Sequence, residues 1–290
     1  HAYASDAAEQ VCIQNRSITC NIGDGGIMSK KLPWQHVHCT GIGGVGMSGL
    51  AHILLDLRVS VSGTDSKRSA FFDSVENRGA SLEVGHGMAL PKNTALLVYS
   101  SAVQPENPEV RAARSRGIPV MRRGEFLAEL ARYFDRVISV AGSHGKTTTT
   151  AMLVHIFRAC GRTPGYLVGG EINDLPRSAA AGSQKVLITE VDESDGTQAL
   201  MRSECGVIIN IEDDHSWSVG GRKALEKCFR DFAYGADRLF CWDTPDTRRL
   251  LAEHRDVRFI DIANQPPGLS LRVPGDYNRT NATIATAVAA

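Results

Sequence analysis

The sequence predicts an α/β protein in which helices cover parallel sheets, and three observations support this class. Short aliphatic segments alternate with amphipathic segments along residues 36–290, as parallel strands joined by helical crossovers require. Two glycine-bearing turns, at 41–46 and 141–148, each follow an aliphatic segment and open a helical one. The chain has 290 residues, of which 42% are hydrophobic and 22% charged. At roughly 100–200 residues per domain, this length predicts two domains.

The charge balance excludes several classes of protein. The chain has 32 Lys+Arg and 32 Asp+Glu, so its formal net charge is zero. No general attraction to nucleic acid or to an anionic membrane is therefore expected. No apolar run approaches the roughly 18 residues that a bilayer-spanning helix needs. Residues 1–26 lack the basic start and apolar core of a secretion signal, so we expect a cytoplasmic protein with small-molecule partners.

The first predicted domain, residues 35–134, follows a tail. Residues 1–27 show no sustained periodicity, and we expect the tail, residues 1–34, to be disordered. Asn107 and Pro108 supply an N-cap and a proline at the first helical position. The predicted elements are, in order, the strand His36–Thr40, the helix Met47–Leu57, the strands Val59–Gly63 and Leu96–Ser100, a helix from Pro108 to Gly117, the strand Ile118–Met121 and the helix Arg123–Tyr133.

The second predicted domain, residues 135–290, repeats the alternation. Its amphipathic segment 222–234 has apolar residues at the spacing of one helix face. The predicted elements are the strand Val137–Ala141, the helix Lys146–Cys160, the strands Lys185–Val191 and Gly206–Ile211, the helix 222–234, the strand Arg238–Trp242, a helix starting at Thr244-Pro245, the strand Val257–Ile262 and the helix Asn281–Ala290. The last helix stops without a capping residue, which favours a chain truncated before a third domain.

The first glycine turn predicts a phosphate-binding site. Gly41, Gly43, Gly44 and Gly46 form the pattern GxGxxG between a strand and a helix. Such glycines permit a tight turn, close backbone approach and contact of a diphosphate with the helix N-terminus. Asp65 lies 24 residues beyond Gly41 (65 − 41), where an acid can bond a ribose hydroxyl. The turn indicates a Rossmann-like domain and a nucleotide diphosphate, and by itself favours NAD or FAD.

The second glycine turn is typical of a phosphate-binding loop (P-loop). Backbone N–H groups of such a loop cradle phosphates, its lysine reaches the terminal phosphates and its first threonine can bind Mg²⁺. Val140 stands where the generic pattern has its first glycine. The candidate ATP-binding residues of this P-loop α/β domain are Gly142, Ser143, His144, Gly145, Lys146, Thr147 and Thr148.

Acidic residues and a histidine follow two further aliphatic strands. Glu190 and Asp192 begin the first group, at 190–195, and His215 ends the second, at 210–215. The carboxyl ends of parallel strands are where α/β sheets bind ligands. Because carboxylate oxygens suit Mg²⁺, the sequence predicts a magnesium site beside the P-loop.

Seven stretches, in order, carry a resemblance to a known family. They are HCTGIGGVGMSGLA (38–51), VYSSAV (98–103), IPVMRRGEFLAEL (118–130), AGSHGKTTTTAM (141–152), VDESD (191–195), NIEDDH (210–215) and PGDYNRTNA (274–282). Together they resemble the Mur ligase family and, within it, the branch that joins L-alanine to UDP-N-acetylmuramate in peptidoglycan precursor synthesis. The resemblance implies three domains, and an ATP-dependent reaction that passes through an acyl phosphate.

The resemblance also implies residue roles, with ATP and Mg²⁺ as cofactors. The implied UDP-sugar site contains Gly41, Gly43, Gly44, Gly46, Asp65, Ser100, Ser101 and Arg123. Asn281 lies at the adenine; Thr147 and Glu190 hold one Mg²⁺, and His215 lies near a second. The implied catalytic residues are Lys146, Glu190 and His215.

Two other functions stay open. An NAD-dependent oxidoreductase would use the GxGxxG turn, but it would leave the P-loop and the acidic strand ends unexplained. A non-catalytic relative that binds a nucleotide sugar is suggested by departures from the family pattern, such as Tyr277 in place of a histidine. The sequence leaves the oligomeric state undetermined.

Overall fold

A computed structural model of the protein describes residues 31–87, 89–172, 175–192, 197–212, 220–271 and 275–290. Most of the predicted tail, Glu193–Asp195 and His215 lie outside these ranges. Within them the chain forms two sheets, one in each half of the sequence. No helix in the described ranges is both long and apolar enough to cross a lipid bilayer.

The first sheet has five strands in the order β3-β2-β1-β4-β5, and every neighbouring pair is parallel. Its strands are β1 (His36–Thr40), β2 (Ser60–Asp65), β3 (Ser81–Val84), β4 (Leu96–Tyr99) and β5 (Val120–Arg122). Its helices are α1 (Val45–Asp56), α2 (Ala70–Glu76), α3 (Pro108–Ser115) and α4 (Arg123–Ala131). The predicted parallel-sheet class of the N-terminal half is confirmed.

The second sheet has seven strands in the order β12-β11-β10-β6-β9-β7-β8, and only the β7–β8 pair is antiparallel. Its strands are β6 (Arg136–Ala141), β7 (Gly165–Leu167), β8 (Ala179–Ala180), β9 (Val186–Glu190), β10 (Ser203–Ile208), β11 (Ala236–Trp242) and β12 (Val257–Ile260). Its helices are α5 (Lys146–Ala159), α6 (Thr197–Leu200), α7 (Arg222–Tyr234), α8 (Pro245–Leu250) and α9 (Asp276–Ala289). This half is the second α/β unit that the sequence predicts.

The central strand β1 is buried on both faces, which have opposite chemistry. Val37 and Cys39 are fully buried in the apolar core on the α1 side. The alternate side chains, His36, His38 and Thr40, are also buried although they are polar. Because successive side chains of a strand point to opposite faces, β1 presents apolar side chains to one covered face of the sheet and polar side chains to the other.

The observed elements differ from the predicted ones mainly at short segments. Helix α7 has the predicted bounds, whereas α9 begins at Asp276, five residues before Asn281 (281 − 276). Helix α2, capped by the Ser69 side chain, was not predicted. Strands β3, β7 and β8 were also missed, because two to four residues are too few to show a period.

Helix α1 joins the two halves. A Cβ added at Gly49 would collide with the Leu167 side chain of β7, so the helix and the second sheet are in close contact. At the other end of α1, Asp56 Oδ1 lies 2.6 Å from an Arg78 nitrogen, and its Oδ2 accepts the Ala181 N–H at 2.9 Å. This packing places the carboxyl ends of both sheets beside a shared cleft.

Candidate functional site

Backbone N–H groups of the first glycine turn donate hydrogen bonds to residues at the end of β2. Gly41 has φ +81°, and its N–H donates to the Thr64 carbonyl at 2.8 Å. The Gly43 N–H donates to Asp65 Oδ2 at 2.8 Å. Helix α1 then begins after Gly44 with no side-chain cap. A helix N-terminus of this kind offers backbone N–H groups and a positive dipole end to an anion.

Asp65 lies where the sequence predicts an acid, and its carboxylate is bound to the turn. Besides the Gly43 N–H, it accepts the Lys67 N–H through Oδ1 at 3.3 Å. The Ser69 hydroxyl donates to the Gly43 carbonyl at 2.8 Å, so a second side chain holds the same glycine residue. Contact between Asp65 and a ribose stays a prediction.

Ser100, Ser101 and Arg123 line the same cleft as Gly44 and Gly46. Ser100 follows β4, and its N–H donates to the Thr40 carbonyl at 3.0 Å. A Cβ added at Gly46 would lie 2.6 Å from an Arg123 guanidinium nitrogen, so the glycine leaves room for this side chain. The arginine therefore brings positive charge to the N-terminus of α1.

The second glycine turn lies between β6 and α5, as predicted. Gly142 has φ +150° and Gly145 has φ +82°, conformations that favour glycine. The Lys146 ammonium donates to the Gly142 carbonyl at 2.7 Å, so the lysine folds back over the turn. A Cβ at Gly145 would lie 2.7 Å from Asn281 Oδ1, which places the predicted adenine residue against this turn.

Asn210 holds the second turn from the neighbouring strand β10, a contact that sequence reasoning missed. Its Oδ1 accepts the His144 N–H at 2.9 Å, and its Nδ2 donates to the His144 carbonyl at 3.3 Å. The Ser143 hydroxyl and the backbone of Glu212 exchange further hydrogen bonds at 2.8 and 3.0 Å. The position of Asn210 directly after an aliphatic strand is the signal that could have identified it.

Thr147 and Glu190 meet at the start of α5. The Thr147 hydroxyl donates to Glu190 Oε2 at 3.0 Å. Burial raises the pKa of Glu190, against the opposing effects of the Thr147 hydroxyl and the Lys146 ammonium. A hydroxyl and a carboxylate are oxygen donors that suit Mg²⁺, which binds through one or two carboxylates and keeps several waters.

Gly169, after β7, is a second residue of the site that the sequence did not indicate. A Cβ at this position would collide with Glu190 Oε1, so only a residue without a side chain leaves the carboxylate where it lies. Gly169 belongs to a Gly-Gly pair, a signal of close backbone approach. The missing side chain therefore sets the position of the candidate metal ligand.

The two halves contribute to one cleft of about 290 Å³. Lys146, Glu190 and Asp192 line it from the second half, opposite the first glycine turn and Arg123. Among the described residues, no group of three or more His, Cys, Asp or Glu side chains could hold a metal ion. His215, which the resemblance implies near a second Mg²⁺, lies outside the described residues, so its place stays a prediction.

Comparison with solved structures gives close matches in fold. UDP-N-acetylmuramate-alanine ligase MurC from Thermotoga maritima matches with a TM-score of 0.76 and 22% identity, over 87% of this chain and 64% of that one. UDP-N-acetylmuramate:L-alanyl-gamma-D-glutamyl-meso-diaminopimelate ligase (MPL) from Neisseria meningitides matches with a TM-score of 0.77 and 24% identity, over 88% and 93%. A murein peptide ligase from Psychrobacter arcticus matches with a TM-score of 0.75 and 22% identity, over 88% and 65%. The chain thus spans about two thirds of the length of two of these relatives.

Two family models match the sequence itself. The catalytic domain of the Mur ligase family matches residues 36–135, and the Mur ligase middle domain matches residues 140–238. Together these ranges cover more than half of the chain, and each contains one of the glycine turns at the cleft. With both models matched in order across the elements that build this cleft, the chain belongs to the Mur ligase family.

Proposed function

We propose that this chain carries the UDP-sugar and ATP sites of a ligase that joins L-alanine to the lactyl carboxylate of UDP-N-acetylmuramate. The observation that supports the proposal is the cleft itself, which Gly44 and Gly46 of the first glycine turn line together with Lys146 of the second. An enzyme that transfers a phosphoryl group between two phosphate-bearing substrates needs two such anion sites within reach. In this proposal residues 35–134 hold the UDP-sugar and residues 135–290 hold ATP.

We propose binding roles for these residues. The N-terminus of α1 and the Arg123 guanidinium receive the diphosphate of the UDP-sugar, and Ser100 and Ser101 line the wall of the cleft. Asp65 is proposed to lie beside the uridine, as the family resemblance implies. The second turn receives the triphosphate, with Asn281 near the adenine. His215 is proposed to lie near a second metal ion.

The proposed reaction has two steps. A lactyl carboxylate oxygen attacks the γ-phosphorus of ATP, and the bond from that phosphorus to the β–γ bridging oxygen breaks. ADP is the leaving group, and the lactyl carboxylate becomes an acyl phosphate. The amine of L-alanine then attacks the acyl carbon, inorganic phosphate leaves and the amine proton passes to solvent. Phosphoryl transfer of this kind depends mainly on positioning and on charge neutralisation. No side-chain nucleophile is required.

Lys146, Arg123 and Glu190 are placed to serve these steps. The Lys146 ammonium can leave the Gly142 carbonyl for the terminal phosphate oxygens, and Arg123 holds the other substrate from across the cleft. The Thr147 hydroxyl and the Glu190 carboxylate would hold Mg²⁺, whose positive charge would offset the negative charge of the triphosphate. Both glycine turns are proposed to keep the reacting groups in place.

The identity of the amine substrate is the most specific part of the proposal. The names of the MurC and MPL structures share UDP-N-acetylmuramate and differ in the amine, which is alanine in one and a tripeptide in the other. We propose L-alanine because GIGGVGMSG (41–49) resembles the alanine-adding branch. Phosphate release with L-alanine and with the tripeptide, measured side by side, distinguishes the two.

Separate titrations test the proposal as a whole. UDP-N-acetylmuramate, ATP with Mg²⁺, and NADH are each titrated into the protein by calorimetry. We expect UDP-N-acetylmuramate and ATP to bind and NADH not to bind. Binding of NADH together with no binding of ATP would favour an oxidoreductase. Binding of both substrates with no phosphate release on adding L-alanine would favour the non-catalytic relative.

Replacing Lys146 by alanine separates the two sites. Loss of a charge-assisted contact of about 1.5–3 kcal/mol predicts roughly 10- to 150-fold weaker ATP binding for Lys146→Ala. UDP-N-acetylmuramate affinity should stay within about twofold, because its turn belongs to the other sheet. Lys223→Ala, on the exposed side of α7, is the matched control. An equal loss for both ligands would contradict the assignment of the sites.

A further inference from the structure

A buried carboxylate lies outside the cleft, against the face of the first sheet to which β1 presents His38 and Thr40. Glu109, in the first turn of α3, is 1% exposed. Its Oε2 accepts hydrogen bonds from the hydroxyls of Thr40 and Thr64, each at 2.8 Å, and lies 3.3 Å from His38 Nε2. Its Oε1 accepts the Gly87 N–H at 2.8 Å. One carboxylate thus binds two strands and the loop after a third.

The two threonines are the direct support of the first glycine turn. Thr40 ends β1 immediately before Gly41, and Thr64 precedes Asp65 at the end of β2. The two residues are partners in the strand register. The Thr64 carbonyl accepts the Gly41 N–H, and Asp65 accepts the Gly43 N–H at 2.8 Å. A shift of Thr64 would therefore move both hydrogen bonds that shape the turn.

A carboxylate is an unusual side chain at a buried position beside the ends of β1 and β2. Burial of a charge is unfavourable unless hydrogen bonds compensate it, and here the Thr40 and Thr64 hydroxyls and the Gly87 N–H supply them. An ionised carboxylate only accepts hydrogen bonds, so both threonine hydroxyls must donate to it. Their orientation is thereby fixed, and the ends of β1 and β2 are held at one spacing.

We infer that Glu109 is a positioning residue for the diphosphate-binding turn. Through the Thr40 and Thr64 hydroxyls it sets the relative position of the two strand ends, and through the Gly87 N–H it holds the loop after β3 against them. Glu109 itself touches no ligand. The inference rests on the proposed function only for the identity of the ligand, UDP-N-acetylmuramate.

Binding measurements on Glu109→Ala test the inference. Four neighbouring groups lose their hydrogen-bond partner, so we expect UDP-N-acetylmuramate to bind at least roughly tenfold more weakly, with ADP affinity within about twofold of wild type. Glu109→Gln keeps one acceptor oxygen and should recover part of the affinity. Glu106→Ala removes an exposed carboxylate just before α3 and should change neither affinity. Wild-type affinity in a folded Glu109→Ala variant, or an equal loss for ADP, would overturn the inference.

Two further measurements test the positioning role of Glu109. One uses conservative variants that are expected to fold, and the other needs no ligand. Thr40→Val and Thr64→Val remove single hydroxyls with little change in shape, and each should weaken UDP-N-acetylmuramate binding about three- to tenfold. Amide hydrogen exchange at Gly41 and Gly43 in the ligand-free protein should be at least about tenfold faster in Glu109→Ala than in Glu106→Ala. Unchanged exchange would refute the positioning role. Failure of wild type to bind UDP-N-acetylmuramate, with faster exchange in the variant, would refute the proposed ligand alone.

Discussion

At the scale of single residues, the candidate metal site depends on the absence of a side chain at Gly169. The three atoms nearest to a Cβ there all belong to the end of the flexible Glu190 side chain, and the φ of Gly169 is not among the positive values that strain other residues. We therefore expect Gly169→Ala to fold with a loss of less than about 1 kcal/mol, while Glu190 is displaced from Thr147. ATP-dependent phosphate release should fall at least roughly tenfold, as for other misplaced catalytic groups.

The neighbouring glycine is the matched control for this substitution. A Cβ at Gly170 would lie 3.3 Å from Thr147 Cγ2, a tight contact that small shifts can accommodate, and would not touch Glu190. Phosphate release and the thermal midpoint are measured for both variants. If Gly169→Ala and Gly170→Ala keep the same activity, the carboxylate position does not depend on Gly169.

At the scale of elements, the junction between α1 and the second sheet is held by Asp56. Its carboxylate is partly buried, lies 2.6 Å from Arg78 and 3.4 Å from Arg177, and accepts the Ala181 N–H. Asp56→Ala leaves three donors without this acceptor, which should lower the free energy of unfolding by about 1–3 kcal/mol. Urea denaturation measures the change.

An exposed ion pair within one helix is the control for the Asp56 prediction. Asp231 pairs with Lys227 one turn away on α7, where both side chains face solvent. Pairs of this kind contribute about 0.3–0.5 kcal/mol, so Asp231→Ala should change stability much less than Asp56→Ala. Similar losses in the two variants would show that Asp56 adds nothing beyond a surface contact.

At the scale of the whole molecule, Glu109 makes the protein sensitive to acid. Burial alone would raise the pKa of this carboxyl, but hydrogen bonds, with His38 and Gly87 the largest contributors, lower it from 4.5 to about 2. A carboxyl whose pKa is depressed by folding stabilises the protein above its unfolded pKa. That contribution, about 3 kcal/mol, should be lost as the pH falls from 4.5 to about 2.

Denaturation at several pH values checks this expectation. Glu109→Gln should be less stable than wild type at pH 6, and its stability should fall less steeply between pH 4.5 and 2. Glu106→Gln, which removes an exposed carboxyl, should keep the wild-type dependence. The same acid slope in all three proteins would show that other groups control acid unfolding.

Local features of the chain predicted much of this fold. Both glycine turns depend on residues near one another in the sequence, because the positive φ of Gly41 and of Gly145 is a property of a single glycine. The apolar period of α7 likewise depends only on consecutive residues. Asn107 and Thr244 cap their helices as expected, since the N–H groups they bind lie two or three residues away. The sequence therefore determined the α/β class and most of the order of the strands and helices.

Only the tertiary structure decided which of these parts meet. Glu109 binds Thr40 and Thr64 from 69 and 45 residues away, and Asn210 binds His144 across 66 residues. Periodicity shows which face of an element is buried, but it does not show which strand lies next to it. The order β12-β11-β10-β6-β9-β7-β8, which places Gly169 beside Glu190, follows from packing across the whole sheet. The chemistry of the turns is thus local, whereas their shared cleft and the carboxylate that supports one of them arise from long-range contacts.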